Sequence, residues 1–178
     1  MVWLAGGLAF TVGADYFLIL QNWHLPGVVI FCFAHVCYIL RAREGKGAKM
    51  LFFVVALLLA LTAYMGIKWV AILYAGLFCA NITTNFIYFK SDKARLSKSN
   101  RTLFLGGLIL FALCDINVLL FNLPIYFSSV SWPSWLSYTF YLIWVFYIPS
   151  QILLACSGVI RFSVSSQELS TSEKGSLI

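Results

Sequence analysis

The sequence predicts an all-α protein, a polytopic transmembrane helical bundle of six spans with both termini cytoplasmic. Three observations carry that reading. First, of 178 residues 62% are hydrophobic and 10% charged, whereas a soluble domain carries about 25% charged residues because its surface faces water. Second, the apolar runs approach the ~20 residues that a helix needs to cross a ~30 Å hydrocarbon core. They do not alternate polar with apolar as barrel strands would, and a chain in lipid must satisfy its backbone internally, so helices are what remains. Third, the charges lie almost wholly in the breaks between runs.

In chain order the spans are Val2–Leu20, Pro26–Leu40, Lys49–Met65, Trp69–Phe89, Thr102–Leu123 and Trp135–Ile160. The second is short, so its first turns begin in the interface and His24 falls in the first loop. The last is long enough to tilt, and Pro149 within it lacks a backbone donor and predicts a kink. The bundle therefore occupies 1–162. Residues 163–178 form a polar, serine-rich tail with no apolar face to bury, for which disorder is expected. The N-terminus shows neither a basic n-region nor a small-residue cleavage site, so no removable signal peptide is expected.

Charge placement tests the count of six. An even number of spans puts both termini, the second loop and the fourth loop on one side. There lie Arg41, Arg43, Lys46, Lys49, Lys90, Lys93, Arg95, Lys98, Arg101, Arg161 and Lys174, eleven of the twelve basic residues, with Lys68 alone opposite. The positive-inside rule makes the rich side cytoplasmic. Trp23, Trp69, Trp132 and Trp135 mark the other boundary as an aromatic belt. The net charge of +6 thus meets anionic headgroups and not nucleic acid. Cys32, Cys37, Cys79, Cys114 and Cys156 all fall in spans, odd in number and without metal-knuckle spacing, and are expected as reduced packing residues.

Polar groups inside spans are the candidate working site. A carboxylate near the bilayer centre costs about 2.5–3.5 kcal/mol on insertion scales, so Asp15 and Asp115 should face the bundle interior. An apolar setting penalises the charged form of a carboxyl, which is the condition for a membrane aspartate to carry a proton. Helix rise places Asp15 about 7 Å inside the tryptophan edge, Asp115 about 12 Å and His35 about 13 Å. Tyr38 shares a face with His35. Asn81, Thr84 and Asn85 form a stripe on the fourth span, and Tyr147 and Gln151 sit four apart beside Pro149, at depths of about 18 and 24 Å. Each also has a structural alternative, since amides and a lone histidine often join membrane helices by hydrogen bonds. Asn81-Ile82-Thr83 has the spacing of a glycosylation acceptor but lies inside a span. No nucleophile elbow, Walker loop or paired-histidine zinc motif is present. With one histidine in the spans, no metal site is expected.

Four pieces, in order, resemble the YhhN family of membrane proteins. They are Gly13-Ala14-Asp15-Tyr16-Phe17-Leu18, Gly27-x-x-x-Phe31-x-x-x-His35-x-x-Tyr38, the run from Gly106 to Asp115, and Phe146-Tyr147-Ile148-Pro149-Ser150-Gln151. Cys114 stands where the family usually has serine, and family members typically carry about two further spans before the first aspartate. The family's characterised members are lysoplasmalogenases. The resemblance therefore implies a membrane hydrolase that cleaves the vinyl ether of a lysophospholipid to a fatty aldehyde and a glycerophospho-alcohol, with no cofactor. It implies catalytic roles for Asp115 as acid, Asp15 as charged partner and His35. Tyr38, Asn81, Asn85, Tyr147 and Gln151 then orient water or meet the substrate. The other readings of the same residues are a proton-coupled carrier and a non-catalytic lipid-binding protein. The expected location is integral and multi-pass, which in a bacterium means the cell membrane; the oligomeric state is left open.

Overall fold

The computed structural model describes residues 2–21, 23–91, 94–126 and 131–175, with side chains through 124 in the third stretch and through 158 in the last. The described elements are helical: α1 (Val2–Asp15), α2 (His24–Ala42), α3 (Ala48–Met65), α4 (Ile67–Lys90), α5 (Lys98–Tyr126) and α6 (Thr139–Gly175). A π-helical turn, Tyr16–Leu20, continues α1, and a 3-10 turn, Ser134–Tyr138, leads into α6. Six helical segments are long and apolar enough to cross a membrane. Among the described residues the predicted all-α class and the count of six spans hold.

Boundaries moved where local chemistry outweighs composition. Helix α2 starts at His24, two residues before the predicted span, because Pro26 is tolerated in a first turn whose N–H groups have no intrahelical acceptor. Helix α5 runs past Leu123 through Pro124 to Tyr126, and α6 runs through Gly175, past Ser163 where the polar tail was expected to begin. Lys93 and residues 176–178 lie outside the described residues. A single residue, Gly66, separates α3 from α4; its φ of 107° lies where side-chain-bearing residues are strained.

The chain divides into two units, Met1–Ala94 and Arg95–Ile178. In the first, α2 is the central element, packed against α1, α3 and α4. Residues 34–40 of α2 are all buried. Seven consecutive buried residues cover about two full turns, so the helix is enclosed on every side there. Cys32, Val36 and Leu40 meet Val55 and Leu59 of α3 and Val70 of α4 in one apolar cluster. The α1–α2 seam is close because of its glycines. A Cβ at Gly7 would overlap the Tyr38 ring, and one at Gly27 would overlap Leu18. In the second unit, α5 and α6 make the equivalent seam at Gly107, where a Cβ would stand 3.0 Å from the Ser150 carbonyl oxygen and 2.9 Å from the Leu154 side chain. Outward faces carry Leu57, Leu61 and Tyr64 on α3 and Ile116 and Leu119 on α5, all exposed, as hydrocarbon surroundings permit.

Gly7→Val should destabilise the protein by about 1–3 kcal/mol, the usual cost of overpacking. Gly76→Ala, where a Cβ meets nothing within 4 Å, should be neutral or stabilising by up to about 1 kcal/mol. Thermal unfolding of both variants in one detergent checks the contrast.

Candidate functional site

Five of the predicted site residues fall in the first unit, and α2 organises four of them. Its inward positions are occupied by His35 and Tyr38, both wholly buried, with ring centroids 6.4 Å apart. Side chains on a helix lean toward its N-terminus. For Tyr38 that direction runs along α1 from Gly7 to Thr11, and its hydroxyl reaches Thr11 Oγ1 at 3.2 Å. Thr11 directs its own proton to the Gly7 carbonyl at 3.0 Å, so the threonine oxygen accepts and Tyr38 donates. Asp15 stands one turn further along α1, half-buried, on the same face as Thr11. Its carboxyl is within electrostatic reach of the Tyr38 hydroxyl.

The other side of α2 faces α4. His35 stacks on Phe78 at 4.7 Å and 29° and packs against Tyr74 at 5.1 Å. Its Nδ1 lies 3.1 Å from Asn81 Nδ2. Asn85 Nδ2 donates to Asn81 twice, to the backbone oxygen at 3.0 Å and to Oδ1 at 2.8 Å. Asn81 is fully buried and Asn85 nearly so; Thr84 is half-buried. The predicted stripe on α4 is thus an internal polar seam aimed at the histidine.

Asp115, Tyr147 and Gln151 belong to the second unit. Asp115 is half-buried on α5, after buried Cys114. Tyr147 of α6 packs on Phe111 at 6.0 Å, one turn before Asp115 on the same face. Ser150 donates to the Tyr147 carbonyl at 2.7 Å, and Gln151 Nε2 reaches Ser150 Oγ at 3.5 Å. Asn117, which the sequence reading passed over, is buried and donates to the Leu113 carbonyl at 2.7 Å.

The model of the YhhN family matches residues 1–158. The chain belongs to the YhhN family. No curated protein and no solved structure matches it. The pieces that suggested the YhhN family pair off as helix seams. Gly13 faces Ile30 and Gly27 rests on Ala14 and Leu18 between the first two pieces, while Gly107 of the third meets Ser150 of the fourth, and Gly106 and Gly107 also meet Leu153 and Leu154 just after it. Small residues let each pair of helices approach, and the polar residues sit on those pairs.

Sequence reasoning missed Thr11, Tyr74 and Phe78. Signals for them exist. Thr11 lies four residues before Asp15, and Tyr74, Phe78, Asn81 and Asn85 recur at the 4-3-4 spacing of one helix face.

Thr11→Val keeps the shape and removes the acceptor for a buried hydroxyl. It should lower stability by about 0.6–2 kcal/mol, the range for side-chain hydrogen bonds between membrane helices. Tyr38→Phe should cost about as much, and the double variant less than the sum. A double-mutant cycle by thermal unfolding measures that coupling.

Proposed function

We propose that this protein is a membrane lysoplasmalogenase, a hydrolase acting on the vinyl-ether bond of a lysophospholipid. The observation that carries the proposal is membership of the YhhN family over residues 1–158. It is supported by ionisable and polar residues in spans that composition would leave apolar, since intramembrane groups of this kind usually have a task.

The reaction needs a proton delivered to carbon. Protonation of the vinyl-ether carbon remote from oxygen gives an oxocarbenium ion. Water adds to the carbon bearing oxygen and loses a proton, and the resulting hemiacetal breaks its bond to the glycerol oxygen. The products are a fatty aldehyde and a glycerophospho-alcohol; one water is consumed and the proton is returned. Glycosidases meet the same cation with two carboxyl groups in different protonation states. The spans here offer Asp115 and Asp15, and the proposal gives Asp115 the acid role and Asp15 the role of charged partner. His35 supplies a hydrogen bond to an oxygen of the site, with Tyr38 beside it, and Tyr147 and Gln151 meet the glycerol or headgroup. The chemistry requires no cofactor.

Purified protein given a vinyl-ether lysolipid should release aldehyde, and the ester analogue should not be cleaved. In deuterium oxide the aldehyde, reduced at once to its alcohol, should carry one deuterium on the carbon next to the former carbonyl. Asp15→Asn and Asp115→Asn should each lower turnover by about 10²–10⁴, the range for losing a general acid or its partner. A folded wild type that releases no aldehyde would count for the carrier or lipid-binding reading. Full activity in both aspartate variants would sink the residue assignment.

A further inference from the structure

The Asn85–Asn81–His35 chain runs in one direction only, and that direction fixes where the histidine carries its proton. It starts at an atom whose role is not negotiable: the Asn81 backbone oxygen can only accept. The Asn85 side-chain atom 3.0 Å from it is therefore the amide nitrogen. That same nitrogen lies 2.8 Å from the end of the Asn81 side chain, so the atom it meets there must be the Asn81 oxygen. With its oxygen turned to Asn85, Asn81 presents its NH₂ to His35 Nδ1 at 3.1 Å. An amide NH₂ has no accepting lone pair of use, so Nδ1 must accept. A ring nitrogen that accepts carries no hydrogen, which excludes the imidazolium and the Nδ1–H form. One species is left.

We infer that Asn85 and Asn81 hold His35 as the neutral, Nε2-protonated tautomer, making the two asparagines positioning residues in place of the substrate contacts that the family resemblance implied. Phe78 stacked on the ring at 4.7 Å and Tyr74 at 5.1 Å complete the cradle, so the ring plane is held as well as the proton. His35 then enters any chemistry as a hydrogen-bond donor through Nε2, suited to an oxygen that gains negative charge or lone-pair density. Nδ1 is not available as a base. The consequence for catalysis rests on the hydrolase proposal; the tautomer does not.

The tautomer is directly measurable. The chain has two histidines, so His24→Gln leaves one, and ¹⁵N-histidine labelling of that protein in lipid nanodiscs reports which ring nitrogen bears hydrogen. The expected spectrum shows a single form with hydrogen on Nε2 and a bare Nδ1. Asn85→Leu releases the Asn81 amide to turn over, and a second tautomer should appear; Asn81→Leu should give the same mixture. Hydrogen on Nδ1 in the parent, whether as the other tautomer or as imidazolium, would overturn the inference. So would one unchanged tautomer in both leucine variants at full helical content. The parent spectrum decides even if a variant fails to fold. Where aldehyde release is measurable, Asn85→Leu should lower kcat by about tenfold, a typical loss on removing the partner that orients a ring nitrogen, with KM unchanged. A raised KM with unchanged kcat would return the asparagine to the substrate. A protein that releases no aldehyde but shows the expected spectra loses the hydrolase reading and keeps the tautomer.

Discussion

The first unit depends on the enclosure of α2. A helix buried without interruption over residues 34–40 cannot turn a polar side chain toward water or headgroups, yet this stretch holds His35 and Tyr38. An unpartnered polar group in an apolar interior costs about 1–3 kcal/mol, so neighbouring helices must supply partners at fixed positions. Helix α1 does so with Thr11, and α4 with Asn81. The apolar cluster on the remaining side, Val36 and Leu40 with Val55, Leu59 and Val70, is insensitive to small rotations of α2. The two polar contacts are not. They set the rotation and height of α2 against both neighbours, as interhelical hydrogen bonds do where lipid and side chains are equally apolar.

Tyr38 can reach α1 only because Gly7 leaves room for its ring. The close approach and the hydrogen bond are therefore one device, in which a residue with no side chain makes the space and a residue one turn away receives the hydroxyl. Thr11 suits that place because it satisfies its own proton on the Gly7 carbonyl and offers only an acceptor. Serine or threonine bonded back to the preceding turn costs a membrane helix little, and Asp15 lies one further turn along. The π-helical turn Tyr16–Leu20 begins immediately after that aspartate. A π-helical turn holds one more residue than an α-helical turn, and such turns are frequent at functional sites.

How much of this was legible follows from which forces act locally. Composition and length decide whether a segment can live in hydrocarbon, so the six apolar helices were readable. Their ends depend on first-turn and last-turn chemistry, and there the reading slipped, at Pro26 and at Pro124. His35, Asn81 and Asn85 were legible as candidates because polarity in an apolar run is conspicuous. Their pairing was not, because α2 and α4 are separated by a whole intervening helix and their register is set in three dimensions. Thr11 escaped notice for the opposite reason: it is not conspicuous in a membrane helix, where threonine can bond its own backbone.

The partition between charged and neutral polar groups also has a physical logic. His35, Tyr38, Asn81 and Asn85 are buried, and the bonds they make, Tyr38 to Thr11 and the other three to one another, pass through amides, hydroxyls and a ring nitrogen. Asp15 and Asp115 are each half-buried. Neutral groups can be enclosed at modest cost once paired, whereas an enclosed charge costs several kcal/mol even after relaxation. Deep burial is thus where a fixed direction of donors and acceptors can be built cheaply, because nothing there needs to change its charge. In the first unit the neutral chain from Asn85 to His35 supplies rigidity and orientation, and the carboxyl of Asp15 stays at the half-buried edge of the seam.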